Sequence, residues 1–252
     1  CASEGYDWIA FVDSGPPATI DTAAEFNTEG QLYTTARGHL AYFAPHLTDL
    51  EDATVPPSAG VAAIALRRFA EQGFNQPPAG FQYPLRGVKG VAVKITKSEQ
   101  GVANPLGVNL IRYFPNVGTI VYGARTRSSN PYYRFINTRV IFNVLNGTLK
   151  TAFNTEVFTA VDGQGVLFAR IRETANAICF NLWQGRAFFG ATPGDAFLCK
   201  CDRENNPAID LEQGIVRLDV YAVPAPTAEK ILIGTHRVAI DGIPFATNIQ
   251  GS

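Results

Sequence analysis

Residues Asn109–Ser128, NLIRYFPNVGTIVYGARTRS, decide how this chain is read. Val108–Tyr113 and Gly118–Gly123 are apolar runs of strand length, and Phe114-Pro115-Asn116 between them is a turn. The run couples an Arg, a Phe-Pro turn, a Gly, a second apolar run, and a Gly followed by Ala-Arg-Thr. No catalytic scheme needs that order of residues. Arg112 and Arg125, set among apolar strands, read as structural cations that pair with a carboxylate or cap carbonyls.

Upstream, Trp8–Val12 reads as a fully buried strand ended by Asp13-Ser14-Gly15-Pro16-Pro17, with Asp13 assigned to turn chemistry rather than ligand binding. Ile20–Gly38 has helical spacing, with Ala23, Phe26, Leu32 and Ala36 inward and Asp21 or Thr22 as cap. Leu40–Phe43 is a second buried strand stopped by Pro45. Ala59–Phe69 is a small-residue helix with Ser58 as N-cap. Val88–Ile95 alternates as a strand, and Lys97–Val102 is merely polar.

Downstream, Arg134–Leu149 carries a helical stripe, and Phe153–Val161 is a loop or short strand. Val166–Trp183 is the clearest helix, with Leu167, Ile171, Ala175, Ile178 and Leu182 at steps of three and four and Gly185 or Gly190 as its stop. Phe197–Cys201, Ile215–Val223 and Ile231–Ile240 read as strands, followed by an unpatterned tail, Asp241–Ser252. Strands alternating with helices imply an α/β (mixed α+β) fold: a mixed β-sheet flanked by helices. No linker divides it.

The chain has 252 residues, 46% hydrophobic and only 17% charged, which fits equally a surface that meets other protein and a monomeric enzyme with a large core. Formal net charge is −1, so no global basic field favours nucleic acid. Apolar runs such as Val61–Leu66 are far shorter than the roughly 20 residues of a membrane span. The first residue is Cys1 and no Met occurs, so a longer product with an incomplete N-terminus is expected. Four cysteines do not make a disulfide scaffold. Cys199 and Cys201 share a strand face, but His39, His46 and His236 are scattered; packed thiols fit better than zinc. The residues of an enzyme reading, Ser58, Cys179 and the three His, lack a G-x-S-x-G elbow or an informative spacing. Catalytic residues, cofactors and metals are therefore expected to be none.

Asn109–Ser128 resembles the signature of contractile tail sheath proteins, the outer-tube subunits of contractile-tailed phages, R-type pyocins and related injection machines. Val55–Arg68, VPPSAGVAAIALRR, resembles a second family segment. The densest likeness is Ala177–Ile233, AICFNLWQGRAFFGATPGDAFLCKCDRENNPAIDLEQGIVRLDVYAVPAPTAEKILI. There Trp183, Gly190, Asp202, Pro207, Pro224, Pro226 and Glu229 stand where the family pattern has them, as Gly118, Gly123, Arg125 and Thr126 do in the first stretch. The chain departs from the pattern at Val140, where the family has Arg, and at Thr155-Glu156-Val157.

The resemblance implies a structural subunit that self-assembles into a helical cylinder around an inner tail tube and contracts to drive it through a cell envelope. It implies residues 1–237 as a compact sheath core and 238–252 as a C-terminal arm. His236, Val238, Ile240, Ile243 and Phe245 are the candidate arm residues. Arg170, Arg172, Lys200 and Arg203 are the candidate tube contacts, against a plainer reading as a solvated helix face and a loop pair. The implied partners are neighbouring copies, the inner tube protein, baseplate and tail terminator, with no nucleic acid and no membrane insertion. The implied location is a virion tail assembled in the bacterial cytoplasm. A pyocin or bacterial injection system is the alternative setting, and an α/β-hydrolase-like enzyme the alternative class.

Overall fold

Leu40–Ala44 (LAYFA) is apolar along its whole length because both of its faces are covered. The computed structural model describes residues 7–18 and 21–234. In chain order these form β1 (Ala10–Asp13), α1 (Ala23–Gly30), β2 (Leu40–Ala44), β3 (Leu47–Asp49), β4 (Thr54–Val55), α2 (Ser58–Gln72) and β5 (Val88–Val91). Then come α3 (Lys97–Ala103), β6 (Val108–Phe114), β7 (Gly118–Val121), α4 (Ile136–Phe153) and α5 (Val166–Gln184). α6 (Pro193–Ala196), β8 (Phe197–Lys200), α7 (Ala208–Glu212) and β9 (Asp219–Ala222) complete the series.

The central sheet has the order β1-β2-β6-β7, with β2 parallel to β1 and β6, and β7 antiparallel to β6. Alternation sorts its side chains. Ala41, Phe43, Ile111 and Val121 face α2 and the start of α4, packing on Val61, Ile64, Ile136 and Val140. Tyr42, Ala44, Val108 and Leu110 face α1 and α3, packing on Ala23, Phe26 and Ala103. Burying each large apolar side chain contributes roughly 1.5–3 kcal/mol. A small antiparallel sheet, β4-β3-β5, flanks this core. The other layer packs α4 and α5 on the two-stranded sheet β8-β9 through Ile141, Leu145, Ala175, Cys179, Phe188 and Cys199.

Several boundaries differ from the sequence expectation. β1 is an edge strand, half-buried rather than fully buried. α1 stops at Gly30 because Thr35 pairs with Ser128 to lead the chain into β2, leaving Leu32 78% exposed and Ala36 exposed. Thr22 caps it in a box with Glu25. Asp13 is no turn residue: its carboxylate accepts from the Ser58 amide at 2.7 Å and hydroxyl at 2.6 Å, so β1 caps α2 and Ser58 is the first helical residue. The polar run after Thr96 is a helix, α3, opened by a Thr96–Glu99 capping box. β5 ends at Val91, short of Ile95. Residues 231–234 form no strand, and the rest of Ile231–Ile240 lies outside the described residues. Val140, where the family pattern has Arg, is buried in the core.

Candidate assembly surface

The signature stretch works as a clamp. Asn109, fully buried on β6, donates from Nδ2 to the carbonyls of Tyr42 (3.0 Å) and Arg125 (2.7 Å). Its Oδ1 accepts from the Arg125 amide at 2.6 Å. The chain leaving β7 is thereby sewn to β6, close enough that a Cβ on Gly123 would lie 2.9 Å from the Asn109 Cα. Gly118 has φ +106 at the reversal that follows Asn116 (φ +66). Arg112 donates to the Ile95 carbonyl at 3.1 Å and lies over the rings of Phe114 and Tyr122. The Thr126 hydroxyl donates to the Tyr133 carbonyl at 2.5 Å.

Arg125 projects from this clamp onto the last described segment. Its guanidinium makes a bidentate pair with Glu229, Nε to Oε1 at 3.1 Å and Nη2 to Oε2 at 2.6 Å, both side chains mostly buried. Asn137 Nδ2 donates to the Ala225 carbonyl at 3.0 Å, and Thr227 donates to Asn137 Oδ1 at 2.7 Å. The amide of Ala225 donates to the Ala187 carbonyl at 2.9 Å. The chain after β9 is thus strapped across the molecule as far as Glu229, beside a groove of about 1120 Å³ lined by Arg68, Arg112, Phe114 and Tyr122. Beyond the strap, Ile231, Leu232 and Ile233 are 80%, 80% and 83% exposed. Three consecutive aliphatic residues in water are costly unless something covers them. The arm candidates His236, Val238, Ile240, Ile243 and Phe245 lie outside the described residues.

Trp183 and Gly190 join α5 to β8: the indole donates to the Gly190 carbonyl at 3.0 Å, and a Cβ on Gly190 would lie 2.8 Å from the Ala196 nitrogen. Asp202 accepts from the Glu204 amide at 2.8 Å, and Pro207 precedes α7 as its N-cap. Buried Asn206 ties this loop to the approach of β9: it accepts from the Arg217 amide at 2.6 Å and donates to the Asp202 carbonyl at 2.9 Å.

Of the four basic tube candidates, Arg170 and Arg172 lie in the first two turns of α5, and Lys200 and Arg203 at and just past the end of β8. Arg170 pairs with Glu156 at 2.5 Å, Lys200 with Glu204 at 2.5 Å, and Arg172 lies 3.7 Å from Glu173. Arg203 donates to the Gly163 carbonyl. Arg170 and Arg203 therefore hold the same α4–α5 connection. Its Asp162 carboxylate accepts from the amides of Gln164, Val166 and Leu167, each at 2.9 Å. The Val166 amide foremost, then that of Leu167, holds this carboxyl below its ordinary range. Three of the four cations lie beside a carboxylate and the fourth donates to a carbonyl, so the surface is not a bare cationic patch.

The residues of an enzyme reading do not converge. Ser58 faces the Asp13 carboxylate, His39 Nδ1 lies 3.0 Å from the Trp8 carbonyl, and His46 lies 3.3 Å from buried Ser14. His236 lies outside the described residues. Among the described residues no cluster of His, Cys, Asp or Glu is placed to hold a metal ion, and no helix is long and apolar enough to cross a membrane. Cys199 and Cys201 are both buried thiols.

No family model matches the chain. Over 194 residues it is 23% identical to the tail sheath protein of Vibrio phage KVP40, covering 74% of this chain and 27% of that protein. Among solved structures, a chain of the contracted PVC sheath complex, an extracellular contractile injection system, superposes with TM-score 0.80 and 25% identity, over 91% of this chain and 64% of that one. A chain of the contracted anti-feeding prophage baseplate superposes with TM-score 0.81 and 26% identity, over 93% of this chain and 66% of that one. The chain thus spans about a quarter of the curated relative and just under two thirds of the solved chains.

Proposed function

We propose that this chain, which resembles contractile tail sheath proteins in sequence and fold, is the assembling core of a sheath subunit. Copies pack by a heterologous contact that does not close, which builds a helical cylinder rather than a ring. The cylinder surrounds an inner tail tube and contracts to drive the tube through the target envelope, with the baseplate at one end and a tail terminator at the other. Contraction exchanges one set of rigid-body contacts for a larger set, so the work resides between subunits.

The observation that carries this reading is the strapped exit of the chain. Residues 225–229 are fastened to the core, and the aliphatic residues 231–233 that follow are largely exposed. Residues 238–252 are the arm, and the arm joins a neighbour's sheet by main-chain pairing. The acceptor is the two-stranded sheet β8-β9, whose two outer edges carry no further strand among the described residues. A sheet of two strands is marginal alone and gains most from added strands. Arg170, Arg172, Lys200 and Arg203 form the tube-facing end, where ion pairs that swap partners allow the sheath to slide.

A phage tail is the setting favoured by the curated relative; an extracellular injection system is the second reading, favoured by the two solved chains at 25% and 26% identity. Deleting residues 235–252 abolishes pelletable polymer while circular dichroism stays native. Normal polymer from that truncation refutes the arm. Reversing Arg170 and Arg172 to Glu reduces co-sedimentation with tube and leaves tube-free polymer intact; unchanged co-sedimentation removes these residues from the tube contact.

A further inference from the structure

Cys179 lies on the inner face of α5 and Cys199 on β8, 20 residues apart, both buried, with their Sγ atoms 3.7 Å apart. We propose that this pair is a latent dithiol, which a small thiol oxidant, an azodicarboxamide or a low-molecular-weight disulfide, converts into an intrachain disulfide stapling α5 to β8.

A disulfide needs an S–S distance of about 2.05 Å, so the sulfurs must approach by roughly 1.7 Å. The surroundings permit it. Ala175, Ala187 and Ala196, three small side chains, belong to the same buried cluster as the two thiols. β8 is held on one side only, by β9, and a two-stranded sheet opens more readily than a wide one. Local opening is what admits an oxidant to thiols buried in the folded state. The two sulfurs are not equivalent. Their mutual hydrogen bond holds Cys179 protonated, with burial adding to the effect, and favours the thiolate on Cys199.

The chemistry balances with the azodicarboxamide diamide. The Cys199 thiolate adds to one nitrogen of the N=N bond, and the other nitrogen takes a proton. The Cys179 sulfur then attacks the Cys199 sulfur, giving up its proton as S–S forms, and the N–S bond's electron pair goes to nitrogen, which takes that second proton. Two thiols are oxidised by two electrons and diamide is reduced to the hydrazine. Cys201 is an internal control. It is equally buried, but it packs against Leu167, Phe168 and Ile171, in a separate cluster, and burial pushes its thiol up.

The test uses the full chain with Cys1→Ser, treated with diamide in native buffer. The expected result is a mass lower by about 2 Da, a peptide map linking Cys179 to Cys199, and a melting temperature raised by roughly 5–10 °C, reversed by dithiothreitol. Cys201→Ala keeps all three and Cys199→Ala loses them. Should Cys199→Ala fail to fold, the peptide map of the Cys201→Ala protein assigns the bond unaided. No cross-link in the folded protein, a cross-link formed only in denaturant, or linkage through Cys201 overturns the proposal.

Discussion

At the residue scale, the fold rests on polar side chains that reach across long sequence separations. Asn109 and Gly123 together place Arg125, and their pairing is legible only as an unexplained Asn beside an apolar run. Asp13 reads as a turn residue because its partner, Ser58, is 45 residues away. No local pattern announces a helix capped by another element's carboxylate. Asp162 acts similarly for α5 and has a pH signature. Its pKa is depressed in the folded state, so its contribution is present above the ordinary carboxylate value near 4 and is lost as pH falls through the lower folded value. Asp162→Ala therefore melts at a lower temperature at pH 7, and the gap to the unaltered protein closes as pH drops below about 4. Calorimetry between neutral pH and pH 3 checks this; a gap independent of pH contradicts the capping role.

At the element scale, apolar runs and long amphipathic helices are legible, and short polar elements are not. β2, β6, β7, α2, α4 and α5 all overlap the stretches their periodicity marks, with ends shifted by at most four residues; α4 runs on to Phe153 and α2 to Gln72. α3 hides because its solvent face dominates its composition, although Thr96 and Glu99 stand at capping-box spacing. The helical period of the sequence overruns α1 because Leu32 and Ala36 continue it by coincidence; the pairing of Thr35 with Ser128 overrides that period. The strap depends on one ion pair that sequence spacing cannot show, since Arg125 and Glu229 are 104 residues apart. Arg125→Ala leaves Glu229 without its guanidinium and costs about 1–2 kcal/mol of local stability. The expected readout is faster amide hydrogen exchange in residues 225–230 with exchange in β2 and β6 unchanged. Unaltered exchange in the strap shows that Asn137 and Thr227 hold it without Arg125.

At the scale of the whole molecule, a parallel-centred sheet covered on both faces supplies rigidity, and a second layer presents a two-stranded sheet beside the exit of the chain. The class of fold and the family likeness are readable from motifs such as Asn109–Ser128 and Ala177–Ile233. Which helix covers which face is not readable, because it depends on contacts such as Phe43 with Val61 that have no sequence mark. Nor does composition show that Arg170 and Arg172 in α5, and Lys200 at the end of β8, lie beside acidic partners. The central claim is that useful free energy lies between copies of this chain. Electron microscopy of the purified protein, alone and with its inner tube, tests that most directly. The account predicts long hollow cylinders with a helical repeat; dispersed single particles in both samples, at every concentration and salt tried, would contradict it.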